Sequence, residues 1–241
     1  MLKAIIMLVC MSFPLSAAAE SIEKPVVKAG DSWVYKSTIE KGQSGWTEEH
    51  DDYKVVHAGK SSILLAVKAI GSTQAPKERL VGSDWSIFRN VNGEEKVVNR
   101  PLLFPLKEGK SWETEYTEDH PNKDHKREHF QIEYSVTGWE EVDVPAGHFN
   151  AVKVEAEGQW KAELESSVKV VSSTQAKQSG ATVVMQSQKV PQQTVTGRLY
   201  KAFWYVPRVK RFVKTVEEYY TAGGIRNERY TVELESFKVS Q

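Results

Sequence analysis

Cysteine is almost absent from this chain of 241 residues, and its single cysteine, Cys10, lies in a segment typical of a leader peptide. Small extracellular domains usually depend on disulfides because their cores are small. Beyond the leader about 220 residues remain, enough to bury a sizeable core without disulfides. Since cleavage would remove Cys10, the sequence excludes thiol catalysis and cysteine-based metal sites in the mature protein.

Long hydrophobic runs are missing outside the leader. Lys3 precedes an apolar run at residues 4–13, and the small residues 17–19 precede a cleavage point before Glu20. The run is shorter than the about 20 residues that a membrane-spanning helix needs. Lipidation at Cys10 is the alternative, but Val9 occupies the position where a small residue normally stands. We therefore expect a signal peptide at residues 1–19, export to a Gram-negative periplasm and no membrane span.

An excess of charge of either sign is also lacking, because 32 Lys and Arg residues balance 32 Asp and Glu residues. The sequence therefore implies neither nucleic acid nor an anionic membrane surface as a partner. The G-x-S-x-G esterase motif is absent, and the two G-K-S segments, at residues 59 and 109, lack the upstream glycine of a phosphate loop. We expect no catalytic residues and no cofactor, and hence no enzyme.

One segment matches a zinc-protease pattern, the H-x-x-E-H of residues 125–129. That pattern binds zinc only on a helix, where both histidines project together. The segment runs directly into a predicted strand, on which residues 125 and 129 would lie about 13 Å apart. We therefore interpret residues 118–129 as an exposed polar loop and predict no metal site.

A period of two dominates the remaining chain, which is typical of strands with one buried and one exposed face. It predicts a single all-β domain over residues 20–241, with a strongly curved antiparallel sheet in the form of a half-open barrel. The segment 166–197 is expected to be an extended hairpin or a flap. The clearest alternating or β-rich segments are residues 32–39, 50–57, 61–70, 130–136, 151–156 and 230–239.

A weak internal echo is present, since residues 28–33 and 107–112 share the pattern K-x-G-x-S-W. In each copy a later tyrosine, Tyr53 or Tyr134, opens a further strand pattern. The echo indicates either a duplicated meander or a turn that is independently well suited to start a strand.

Aromatic residues supply the candidate ligand contacts. Trp33, Trp112 and Trp204 lie in clear strand patterns and are expected in the core, whereas Trp46 and Trp160 have polar neighbours. The densest aromatic segment, residues 203–214, predicts either an apolar cavity with a basic rim or a charged edge strand. The predicted ligand-binding residues are Trp160, Phe203, Tyr205, Phe212, Lys210 and Lys214.

Three blocks of sequence, at residues 104–112, 144–154 and 204–214, carry a resemblance. Their order resembles a set of uncharacterised bacterial envelope proteins with the pattern P-L-x-x-G-x-x-W, V-P-A-G-x-F-x-A, W-Y-x-P-x-V-x-x-x-V-K. The resemblance implies an architecture similar to the periplasmic lipoprotein carriers and transfers no catalytic residue. Many such proteins have glycine where this chain has Lys210 and Arg211, so the local turn is expected to differ.

These observations favour a periplasmic, non-catalytic binding or accessory protein. Its ligand would be apolar or amphiphilic: a lipid, a lipid-linked saccharide or glycolipid, or a segment of a lipoprotein or another envelope protein. The alternative is a structural or protein-interaction module of the envelope with a filled core. A hydrolase acting on glycans is the third hypothesis, and it requires two carboxylates that face one cleft.

Overall fold

The computed structural model describes residues 21–165, 168–177, 180–189 and 193–241. The predicted signal peptide, including Cys10, lies outside these residues. For the segment between residues 166 and 192 the description is limited to the backbone of two strands.

Strands dominate the described residues, and the only helical turns there are two short 3-10 turns, Gly42–Ser44 and Pro207–Val209. In the described part of the chain no helix has the length and apolar character needed to cross a membrane. The strands are β1 (Ser32–Glu40), β2 (Trp46–Ala58), β3 (Ser62–Ala69), β4 (Lys77–Gly82), β5 (Ile87–Val91), β6 (Glu94–Asn99), β7 (Ser111–Asp119), β8 (His125–Val144), β9 (Gly147–Leu164), β10 (Val168–Lys177), β11 (Gly180–Lys189), β12 (Thr194–Val206), β13 (Arg211–Thr221) and β14 (Arg226–Lys238).

Ten of these strands form one antiparallel sheet in the order β4-β3-β2-β1-β14-β13-β12-β9-β8-β7. The pairs β5–β6 and β10–β11 form separate two-stranded sheets. The predicted all-β class with a large antiparallel sheet is therefore confirmed.

The sheet is strongly curved. The Ala146 amide, in the turn between β8 and β9, donates to Leu234 O on β14 at 2.9 Å, although three strand spacings separate β9 from β14, which is about 14 Å along a flat sheet. We call the face that carries the buried residues Trp33, Tyr134 and Tyr205 the inner face, and the opposite one the outer face. The upper end of the sheet carries the β1–β2 and β13–β14 turns, and the lower end carries Pro207–Val209.

The lower half of the inner face is covered by residues 83–110, which we call the covering segment. It leads from β4 at one edge of the sheet to β7 at the other edge and includes β5 and β6. Trp85 packs edge-on against Trp33 with ring centroids 5.5 Å apart, and Phe104 packs against Tyr205 at the same separation. The chain therefore fills this half of the face with its own side chains.

The two K-x-G-x-S-W segments form the same turn. Gly30 and Gly109 have φ angles of +92° and +80°. The Gly30 amide donates to Val55 O and the Gly109 amide donates to Val136 O, both at 2.9 Å. The tryptophan of each copy then pairs with the predicted tyrosine, Trp33 with Tyr53 and Trp112 with Tyr134. The echo thus corresponds to two structurally equivalent strand starts, which is compatible with both of its interpretations.

The segment predicted as a hairpin or flap contains β10 and β11, paired antiparallel from Val168 with Lys189 to Lys177 with Gly180. Residues 178–179, between the two strands, lie outside the described residues. A role as a flap stays a prediction.

Candidate functional site

Three of the predicted ligand contacts are buried aromatic side chains. Tyr205 and Phe212 lie in the filled lower half, and Phe203 lies at its upper boundary, where it is paired with Thr215 on β13. Phe203, Tyr205 and Phe212 are 2%, 0% and 9% exposed. Phe203 packs on Phe212 with ring centroids 5.4 Å apart, and Phe104 of the covering segment packs on Tyr205. All three side chains therefore contact other parts of the chain.

The two predicted rim lysines are both neutralised by acidic partners. The Lys210 ammonium lies 3.2 Å from Asp31 Oδ2, and the Lys214 ammonium lies 2.9 Å from Glu233 Oε1. Lys210 adopts a left-handed conformation with φ +63°, the backbone shape that glycine usually provides. Lysine thus forms this turn in a conformation that favours glycine.

Trp160 lies apart from these residues, near the upper end of the inner face. It pairs with Gly197 on β12, and Phe203 is six residues further along that strand, about 20 Å away. A Cβ on Gly197 would lie 2.3 Å from the indole nitrogen of Trp160, so the ring rests directly on the β12 backbone. The structure therefore does not bring the six predicted residues together, and their contact with a ligand stays a prediction.

Arg211, beside the predicted lysines, has an unusual environment. Its guanidinium carbon lies 4.5–5.3 Å from the ring centroids of Trp33, Tyr35, Tyr53 and Trp85. Its Nη1 is buried without a hydrogen-bond partner, and within the described part of the chain Arg211 forms no salt bridge. Aromatic faces therefore stabilise this cation in place of an acid. We call this arrangement the arginine cage.

The upper half of the inner face contains a cleft of about 380 Å³ between β13 and β14, with a largely apolar lining. We call it the upper cleft. The strand register places its lining in cross-strand pairs on one face, including Thr215 with Val232 and Glu217 with Tyr230. Its lining side chains are Thr215, Glu217, Tyr219, Glu228, Tyr230 and Val232.

A buried ion pair forms the floor beside this cleft. Lys201 is 7% exposed, and its ammonium lies 3.0 Å from Glu217 Oε2. Burial by itself lowers the pKa of Lys201, but the negative charge of Glu217 outweighs burial and raises that pKa above its ordinary value. Lys201 therefore keeps its proton and is not a free-base nucleophile.

The aromatic walls of the cleft are neutral. Tyr219 donates to Glu217 at 3.2 Å and Tyr230 donates to Glu228 at 2.5 Å. Burial raises the pKa of Tyr219 to about 12, and the hydrogen bond to Glu228 together with burial raises the pKa of Tyr230 to about 12. The two rings meet edge to face with centroids 6.1 Å apart. Both phenols are therefore protonated near neutral pH.

A row of aromatic side chains continues the upper half across β7, β8 and β9. Tyr116 is paired with Phe130, and Phe130 is paired with Trp160. The Tyr116 and Phe130 rings stack with centroids 5.0 Å apart. Phe130 and Trp160 are half-buried. The upper half of the inner face thus combines aromatic surface with internally compensated ion pairs, which include that of Arg89 with Glu118 beside the Tyr116 ring. This arrangement is suited to binding.

Sequence reasoning missed the upper cleft, although one signal was available. Leu199, Lys201, Phe203 and Tyr205 share one face of β12 by simple alternation, which places a lysine on an apolar face. The partners Glu217 and Tyr230 belong to other strands, and nothing local in the sequence relates them to Lys201.

Comparisons with known proteins give fold likenesses alone. No family model and no curated protein matches the chain. A protein from Parabacteroides distasonis proposed to be a lipoprotein is 16% identical with a TM-score of 0.48, over 91% of this chain and 100% of its own. A protein from Bacteroides fragilis proposed to be exported, with a YmcC-like fold, is 15% identical with a TM-score of 0.39, over 90% of this chain and 99% of its own. Neither likeness bears on the function of this chain.

Proposed function

We propose that this protein is an exported, non-catalytic binding protein of the bacterial envelope, and that it holds an amphiphilic ligand in the upper half of its inner face. The leader-like segment at residues 1–19 supports export. The main support for the proposal is that the two halves of the inner face differ. The covering segment fills the lower half. In the upper cleft, half-buried aromatic and aliphatic side chains have no cover from the described residues.

The chemistry of the upper cleft supports an amphiphile over a purely polar ligand. Val232 and the rings of Tyr219 and Tyr230 offer apolar surface, while Glu217 and Glu228 accept hydrogen bonds from the neighbouring phenols. An acyl chain would gain about 0.8 kcal/mol for each methylene that it buries there. The ion pair of Lys201 and Glu217 is already satisfied, so a ligand need not neutralise a buried charge.

The test is a titration of the mature protein with lysophosphatidylcholine below its critical micelle concentration, measured by isothermal titration calorimetry. We expect saturable binding that Val232→Asp weakens about tenfold or more, because one apolar contact is lost and a charge must be desolvated. Trp46→Ala is the matched control, since Trp46 is 66% exposed on β2 and faces away from the upper cleft. Equal affinity in all three proteins, or no binding in any, would refute the proposal.

A second candidate function is a protein-interaction module with a filled core. The burial of Phe203, Tyr205 and Phe212 favours it, since these aromatic residues are already in contact with the chain itself. This function predicts that lysophosphatidylcholine does not bind. It also predicts that an envelope protein can be crosslinked to the intact chain in cells, and that this crosslink is lost when a surface strand is altered.

A further inference from the structure

A groove of about 1000 Å³ lies on the outer face, over β7, β8, β9, β12 and β13. We call it the outer groove. The upper cleft opens on the other side of the sheet, so the two sites share no side chain. The outer groove therefore raises a separate question of ligand chemistry.

The strand register arranges the lining of the outer groove in two straight rows. In the first row Gln131 faces Gln159, which faces Arg198, which faces Tyr220. In the second row Glu133 faces Glu157, which faces Tyr200, which faces Glu218. Neighbouring strands lie about 4.8 Å apart and the two rows about 7 Å apart. The groove is thus an elongated array of amide, carboxylate, phenol and guanidinium groups.

Half of the polar groups in this array are exposed and available to a ligand. The carboxylates of Glu133 and Glu157 are exposed and form no ion pair within the described residues, and the amides of Gln131 and Gln159 are exposed as well. Two like charges directly opposite each other on paired strands destabilise a sheet. Stability alone therefore does not account for this row.

The other half of the array is fixed in position. Tyr220 donates to Glu218 at 2.5 Å, and Arg226 donates to the same carboxylate at 3.0 Å. Tyr200 donates to Glu155 at 2.7 Å. The guanidinium of Arg198 lies 6.0 Å from the centre of the Tyr220 ring. Both tyrosine rings are thus held in place along one side of the groove.

The ligand class follows from this lining. Few apolar side chains line the groove, which disfavours a lipid. The excess of carboxylates over the single arginine disfavours an anion. Amides and carboxylates pair with hydroxyl donors and acceptors, and fixed phenol rings offer flat apolar surfaces of the size of a sugar ring. We propose that the outer groove binds a neutral or amine-bearing oligosaccharide that runs across the strands.

The test titrates the mature protein with chitohexaose, with its deacetylated form and with a hexalysine peptide, by calorimetry at two salt concentrations. We expect binding of at least one saccharide that Tyr220→Ala and Glu157→Gln each weaken about tenfold. The first replacement removes a flat surface for a sugar ring, and the second removes a charged hydrogen-bond acceptor. Glu95→Gln, an exposed carboxylate on β6, is the matched control and should bind like the unaltered protein.

Three results would overturn the inference: no saccharide binding, saccharide binding that neither groove variant affects, or binding of hexalysine alone with a steep salt dependence. The last would identify a generic acidic surface. Lysophosphatidylcholine binding in the upper cleft is measured separately, so either proposal can fail without the other.

Discussion

Three side-chain donors, two on β1 and one on the covering segment, fix the backbone around Arg211. The indole of Trp33 donates to Val209 O at 2.8 Å, the indole of Trp85 donates to Lys210 O at 3.0 Å, and the phenol of Tyr35 donates to Phe212 O at 2.6 Å. Trp85 has φ +64°, a left-handed conformation that costs a bulky residue about 1–3 kcal/mol. The arginine cage thus ties the covering segment to β1 and β13 at the residue scale.

Replacement of Arg211 by lysine should destabilise the protein by about 1–2 kcal/mol, because a compact ammonium cannot stack on several rings as a planar guanidinium does. The measurement is urea unfolding of both proteins. Arg208→Lys is the matched control: Arg208 is exposed and lies over the single ring of Phe149, so its replacement should cost about 0.5 kcal/mol or less. Equal losses in the two variants would contradict the cage.

Asp31 makes stability depend on pH. Burial by itself raises the pKa of this carboxylate, but hydrogen bonds from the Ser240 and Lys28 amides and the Lys210 ammonium outweigh burial and hold the pKa below its ordinary value of 3.8. Because the folded-state pKa is lowered, the stabilisation is fully present above about pH 4 and is lost as the pH falls through the folded value.

Asp31→Asn should therefore cost about 2–3 kcal/mol at neutral pH, since Lys210 loses its acidic partner. The difference from the unaltered protein should shrink as the pH falls from 4 towards 2, which unfolding at several pH values measures. A difference that stays constant over this range would show that Asp31 does not titrate as argued.

At the residue scale, sequence reasoning found the cationic segment but not the unusual environment of Arg211 within it. Lys210 and Lys214 were predicted as a rim, and acids in distant parts of the chain, Asp31 and Glu233, neutralise both. Arg211 was passed over because its aromatic partners lie in distant segments and meet only in the folded chain. Long-range partners of this kind leave no periodic signal in a sequence.

At the scale of elements, alternation predicted the strands well because one buried and one exposed face impose a period of two. The segment 32–39 became β1 and the segment 230–239 lies largely within β14. The segment 130–136 was extended at both ends to form β8. Gly138, with φ +123°, lies at a register shift that lets this strand continue. The predicted polar loop at residues 118–129 is limited to residues 120–124, because the pairing of β7 with β8 continues as far as Asp119 with Arg127.

The equivalent turns give a matched test at this scale. Gly30→Ala and Gly109→Ala should each cost about 1–2 kcal/mol, because both positions have positive φ and neither added Cβ meets another atom within 4 Å. The cost is thus conformational and should be similar in both copies. Thermal unfolding measures it, with Gly223→Ala, in an exposed turn, as the control. A loss in only one copy would contradict the equivalence of the two turns.

At the scale of the whole molecule, the all-β class and the large antiparallel sheet were predictable, whereas the path of the covering segment was not. Residues 83–110 include the apolar side chains of Trp85, Leu102 and Leu106. From the sequence alone, these are equally compatible with a core and with a ligand-binding surface. Only their position over the inner face shows that they fill its lower half. The density of aromatic residues therefore indicated that residues 203–214 form a buried or binding segment. It did not predict which side chains they contact.

The most direct test of binding in the upper half of the inner face is native mass spectrometry of the protein purified from the cells that produce it, followed by organic extraction. The account predicts an added mass that extraction releases as an amphiphile, and that Val232→Asp reduces while Trp46→Ala does not. An unliganded mass for all three proteins, together with no uptake of lysophosphatidylcholine, would contradict the claim that the upper half of the inner face is a binding site.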